Sequence, residues 1–379
     1  MTSTTTAVNT RVNELIRTQI AEGRQIGVQV CAYSDGDLVV DAWAGRMGPK
    51  DGRPVTEDSL FLSFSTTKGI ASTLIHMLAE RGLIDYDEPV AKYWPAFGQN
   101  GKDRLTIAQM MSHQAGLHRM PEPFAPEHIT DWDDGIRRME EGVPAYEPGT
   151  ATGYHAVTFG WLVGGLVQAV TGKHIKDLIR TEIAEPLGEA DNMFVGIPHG
   201  LDDRLTTLEI VPAGEGLPIE DDAEFYKAMP KTMWQHFNSM PFREACLPSG
   251  NGHFTARSLA KMYAALAGDG SIEGTRLVQP DRIAYMQQLQ TADVDVVLGM
   301  PTPKSIGFFL GGEAEGIHGP TGPRPTAFGH PGAGGSVGFA DPEASLSVGV
   351  TLNKMSYPDP GEGVTLEICD LIRSELGVA

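Results

Sequence analysis

The stretch SLFLSFSTTKGIASTLIHMLAER, residues 59–81, changes its periodicity in the middle. Residues 59–64 read as a short strand-like run, whereas residues 66–81 carry apolar positions at helical spacing and are followed by Gly82, a residue suited to a helix C-terminal cap. Ser65 falls at the junction and heads a Ser-x-x-Lys with Lys68. Residues three apart share one helix face, so the lysine amine sits beside the serine hydroxyl. The free N–H groups of a first helical turn suit a developing oxyanion. A neutral lysine would accept the serine proton, which requires a depressed pKa of the kind that burial or a neighbouring cation supplies.

Two rivals occupy the same chain. Ser258-Leu259-Ala260-Lys261 repeats the spacing, but it lies within an amphipathic helix that starts at Thr255, with Ser258 in the first turn and Lys261 on the solvated face. Gly334-Gly335-Ser336-Val337-Gly338 matches the G-x-S-x-G elbow, which needs a strand before it and a helix after it. Here a strand ending at Asp341-Pro342 follows, and no histidine lies beyond His330, so Ser336 reads as part of a glycine-rich bend between strands.

Working outward, residues 8–25 read as a helix, and residues 26–34 and 37–45 as a hairpin turning at Asp35-Gly36. Between about 85 and 282 helical patterns dominate: 106–113, 129–141, 157–170, 175–184 and 256–267. Long connectors at 119–127 and 209–224, with a third at 311–324, read as walls of a binding cleft, though their content names no ligand. Met120, Phe124, Phe225, Trp234 and Phe237 are candidates for an apolar pocket or for the core. Strand patterns return at 305–310, 327–330, 336–341 and 345–352, and a last helix covers 364–375. This order predicts one sheet built from both termini with a mostly helical lobe between.

Two further segments carry candidate chemistry. Tyr154 sits at a loop-to-helix entry, where it is either a packed aromatic or, flanked by cations, a phenolate base. Residues 328–335, FGHPGAGG, end a strand, and their glycines let backbone approach a ligand closely. An N–H from this turn, paired with that of Ser65, makes a two-donor oxyanion hole.

Taken in order, the Ser-x-x-Lys, the Tyr154 segment and the His330-Pro331-Gly332 turn resemble the penicillin-binding protein and β-lactamase superfamily, closest to the class C enzymes and their related carboxylesterases of the family VIII type. Residues 60–68, 83–95, 105–117, 148–149, 154–164, 185–188, 252–262 and 329–341 all look like segments of that family. The resemblance implies an α+β, β-lactamase/transpeptidase-like fold: an antiparallel sheet flanked by helices from residues 1–85 and 290–379, a helical lobe from 86–289, and the site between them. It implies Ser65 as nucleophile, Lys68 as base or charge partner, and Tyr154 in proton transfer. His330 and Gly332 would stand in the substrate-binding third motif, and the amides of Ser65 and Ala333 would form the oxyanion hole. Two departures matter. Tyr154-His155-Ala156 replaces the Tyr-x-Asn common in β-lactamases, and His330 replaces a lysine, giving a weaker handle for a substrate carboxylate. The expectation is therefore a serine carboxylesterase acting on small esters through an acyl-enzyme. Acyl transfer, weak β-lactamase or D,D-peptidase activity, and a non-catalytic binding or sensor protein stand as alternatives.

Composition narrows the field. The 379 residues carry a net charge of −20, which argues against nucleic-acid partners. Any site for anionic substrates would need local cations to overcome that field. The 11 histidines show no H-E-x-x-H, so neither a metal nor another cofactor is expected. Cys31, Cys246 and Cys369 lack metal-binding spacing and suit a reducing compartment. Residues 1–10 lack the apolar core of a signal peptide, and no run approaches about 18 apolar residues, so a cytoplasmic protein without a membrane partner is expected. Homo-oligomerisation is left open.

Overall fold

The computed structural model describes residues 3–211 and 219–378. Its central sheet has six antiparallel strands: β1 (Gly27–Ser34), β2 (Asp37–Gly45), β3 (Phe309–Leu310), β4 (Phe328–Pro331), β5 (Val337–Asp341) and β6 (Leu346–Leu352), in the order β2-β1-β6-β5-β4-β3. The two ends of the chain meet where β1 pairs with β6, Val28 opposite Leu352 and Ser34 opposite Leu346. The β1–β2 turn places Asp35 and Gly36 at φ of 51° and 79°, the left-handed pair that a two-residue hairpin demands. Five helices frame the sheet and the site: α1 (Ser3–Ala21), α2 (Thr66–Glu80), α3 (Phe159–Thr171), α4 (Ala256–Ala267) and α5 (Val364–Leu376).

Strand alternation sorts the core into two faces. Val28, Val30 and Ala32 of β1 join Val348 and Val350 of β6 against Val12 and Ile16 of α1 and Ile368 and Ile372 of α5. The opposite face receives α4, and there the strands give up side chains. A Cβ on Gly349 would lie 2.5 Å from the Ala256 carbonyl oxygen, and one on Gly338 would lie 2.5 Å from the Tyr263 ring. Ser347 then donates its hydroxyl to the Ala260 carbonyl at 2.9 Å. Helix and sheet therefore meet at backbone distance.

Several elements are shorter than the sequence pattern predicts. Of residues 59–64 only Phe61–Leu62 is strand, and it pairs with Gly252–Phe254 in a separate three-stranded sheet that includes Met193–Val195. The strand stops because Phe64 takes a positive φ of 45°. Of residues 305–310 only the last two extend, because Gly307 at φ 88° turns the chain and a Cβ there would meet the Ser72 hydroxyl. The helix predicted at 129–141 starts at Trp132, with Asp131 capping it through the Asp134 amide. The one predicted at 175–184 is α-helical to Ile179 and then widens into a π-turn. Part of the 209–224 connector, residues 212–218, lies outside the described residues, as do Met1 and Thr2 of the amino-terminal stretch. No helix among the described residues is long and apolar enough to cross a membrane.

Gly349→Val would drive a branched side chain into the α4 backbone. The unfolding free energy is expected to fall by about 1–3 kcal/mol in urea titrations. Wild-type stability in this variant would mean that α4 has room to move away.

Candidate active site

Ser65 is the N-cap residue of α2, at φ −67° and ψ −9°, yet its side chain makes no cap hydrogen bond. Serine usually spends its oxygen on an N2 or N3 amide in that position. Here the hydroxyl is released to face Lys68 Nζ at 3.1 Å. The left-handed Phe64 immediately before it fixes the turn, a strained geometry for a bulky residue, and the Phe64 ring is held edge-on to Phe237 at 4.9 Å. Ser65 is 8% exposed and lines the cavity described below.

Lys68 is fully buried. Its Nζ contacts three oxygens: Ser65 Oγ and the main-chain carbonyls of Ala156 and Ser249, the latter two at 2.8 Å each. Among the described residues no carboxylate pairs with it. Burial alone therefore holds the amine well below the usual lysine value. A neutral amine has two N–H donors and one lone pair. In that form the two carbonyls take the donors and the lone pair is left for the Ser65 O–H; an ammonium instead donates to all three oxygens.

The Tyr154 ring lies 4.8 Å from Lys68 Nζ. Burial pushes its phenol up, against the pull of the Ser65 hydroxyl, which favours the protonated phenol over the phenolate considered from sequence. His330 ends β4 with its Nδ1 2.8 Å from the Pro331 carbonyl, which fixes the proton on Nδ1 and leaves Nε2 as a bare acceptor. Nε2 is buried and has no partner among the described residues. Burial, with Lys68 nearby, pushes this imidazole down to about 3. Gly332 has a steric role: a Cβ there would stand 2.3 Å from the Ser63 carbonyl oxygen, so glycine lets the β4 turn close against the segment that carries Ser65. Ala333 follows at the cavity edge.

The sequence pattern gave no warning of the support behind Tyr154. Asp295 and Lys304 form an ion pair at 2.8 Å with both side chains fully buried. Asp295 Oδ1 accepts the Tyr154 amide at 3.0 Å and the amides of Val297 and Leu298 at 2.8 and 3.0 Å. Lys304 also donates to Thr152 Oγ1 at 3.0 Å. One carboxylate thus ties the Tyr154 loop to residues 296–300 of the cavity wall. The available signal was a single acid inside the apolar run Val294-Asp295-Val296-Val297-Leu298. His155, beside Tyr154, turns away to accept the Leu117 amide at 3.0 Å.

The cavity holds about 960 Å³ and is lined by Ser65, Tyr154, His330, Gly332 and Ala333. Of the connectors read as walls, 219–225 and 318–320 contribute, whereas 119–127 does not; residues 296–300 and 356–366 complete the lining. Phe225 faces the cavity, while Met120, Trp234 and Phe237 are core. The second Ser-x-x-Lys is structural: Ser258 Oγ bonds the Asn192 carbonyl at 2.9 Å. Lys261 is not on a solvated face as its pattern suggested; only 14% of its side chain is exposed, and it pairs with Glu273 at 2.7 Å. Ser336 is buried at the start of β5, with no helix after it.

A family model described as beta-lactamase matches residues 12–368, and the chain belongs to that family. Among individual proteins, it is similar to the esterase/beta-lactamase LipL of Mycobacterium tuberculosis, with 37% identity over 361 residues, 89% of this chain and 79% of that protein. Among solved structures, a family VIII carboxylesterase superposes with a TM-score of 0.88 at 34% identity, covering 97% of each chain. A penicillin-binding protein homologue from Caulobacter crescentus gives 0.88 at 32% identity, again over 97% of each chain.

Asp295→Asn should lower the unfolding free energy by about 3 kcal/mol, because it leaves Lys304 buried without its counter-charge. Adding Lys304→Met should recover part of that loss. A double variant no more stable than the single one would show that the pair is not what holds this wall.

Proposed function

We propose that the chain is a serine carboxylesterase that works through an acyl-enzyme on Ser65, at the seam between the sheet lobe (1–85 and 290–379) and the helical lobe (86–289). The observation that carries this reading is the 3.1 Å contact between Ser65 Oγ and a buried lysine that has no acidic partner. The esterase names of LipL and of the family VIII structure support the choice of esters.

Ser65 Oγ attacks the ester carbonyl, and its proton passes to the Lys68 amine as the C–O bond to serine forms. The tetrahedral oxyanion is held by the amides of Ser65 and Ala333, neither of which is taken by a turn or cap hydrogen bond. Each such donor is worth on the order of 3 kcal/mol in the transition state. Collapse breaks the bond to the leaving alkoxide, which takes a proton from Tyr154 or Lys68. Water then attacks the acyl-enzyme by the reverse proton path, freeing the acid and restoring the serine.

Ser65→Ala should reduce p-nitrophenyl acetate hydrolysis by at least about a thousandfold while circular dichroism stays unchanged. Full activity in that variant would end the reading. Because burial lowers the Lys68 pKa, the neutral, competent amine persists to pH values well below the ordinary lysine range. The kcat/KM profile should therefore fall on its acid side only as pH drops through that depressed value. Lys68→Met should be inactive across the whole range; an acid limb that survives in a partly active Lys68→Met would assign the titration elsewhere.

A further inference from the structure

The charge pattern of the cavity is one-sided. Glu220, Glu224, Asp359 and Glu362 line it, and no lysine or arginine does. Glu224 is already satisfied by both Arg119 nitrogens, His118 and Lys227. The carboxylates of Glu220, Asp359 and Glu362 are exposed and have no ion-pair partner among the described residues. The neighbouring residues 212–218 supply no cation either, since their sequence is PAGEGLP. Acidic rims occur on many acidic proteins, so a second feature decides. His330, which lines the same cavity, is fully buried, and its Nε2 lone pair has no donor among the described residues. Where a lysine would offer donors to a carboxylate, this site offers an acceptor behind a ring of negative charge.

From this we infer that the preferred substrates are esters bearing a protonated amine: the rim carboxylates draw the cation in, and its N–H bonds to His330 Nε2. The inference rests on the esterase reading and adds the substrate class. A cleft lined with one sign of charge raises the encounter rate of the opposite charge by about tenfold or more, and salt weakens the effect.

Two matched series test it by pH-stat on the wild-type enzyme. In the first the charge is on the alcohol: butyrate esters of 2-(dimethylamino)ethanol, choline, 3,3-dimethylbutanol and 4-hydroxybutanoate. In the second it is on the acyl chain: methyl 6-aminohexanoate, methyl heptanoate and monomethyl adipate. At low salt, kcat/KM should follow cation over neutral over anion in at least one series, with roughly a tenfold cation-to-neutral ratio that shrinks in 0.5 M NaCl. The responding series shows which side of the ester enters the pocket. The combined variant Glu220→Gln, Asp359→Asn, Glu362→Gln should bring the ratio toward one. His330→Phe should erase the advantage of the dimethylaminoethyl ester, which has an N–H, over the choline ester, which has none. Neutral esters turned over as fast as cationic ones in both series, or a ratio unmoved in the rim variant, would overturn the inference and leave the esterase reading standing. If even the neutral esters are untouched, or are hydrolysed equally by Ser65→Ala, the esterase reading fails first and takes this inference with it.

Discussion

An amine sealed in the protein without a counter-ion is the constraint around which the site is arranged. Desolvation holds the Lys68 amine well below its usual value, and its three contacts, two carbonyls and the Ser65 hydroxyl, accommodate a neutral amine that accepts from Ser65. A carboxylate beside it would restore the ammonium and remove the base. The apolar walls from α2 and α3 are thus part of the chemistry as well as of the core.

Holding a lysine in this way requires rigid backbone on every side. Its carbonyl partners belong to segments 88 and 181 residues away in sequence. They are brought to the amine by the Tyr154 loop and by the chain before Gly252–Phe254. Glycine does much of this work by absence of side chain. Gly332 lets the third-motif turn come down on the Ser63 carbonyl, and Gly349 with Gly338 lets α4 lie against the sheet. Close backbone approach, more than side-chain recognition, sets the position of Ser65 relative to the glycine-rich turn at 332–335.

How much of this could be read in advance follows from the range of the interactions. Ser65 and Lys68 are one helical turn apart, so local periodicity suffices to pair them. The sheet from both termini was legible because β1 and β6 carry strong alternation and a hairpin turn. Tyr154 and His330 were legible as candidates through turn chemistry and the ordered family resemblance, and the structure brings both to the same cavity as Ser65. Asp295 and Lys304 were not legible: a lone acid among valines and a lysine between proline and serine carry no local signature. Their meaning appears only when residue 154 folds back onto residue 295. Strand lengths failed for a similar reason, since the breaks at Phe64 and Gly307 answer to tertiary neighbours. The burial of Tyr154, which pushes its phenol up, was also not legible, because sequence cannot reveal burial.

The Asp295 carboxylate grips the catalytic-loop amide with the same oxygen that grips Val297 and Leu298 on the cavity wall. A bulky ligand that leans on this wall therefore bears on the carboxylate that holds the Tyr154 main chain.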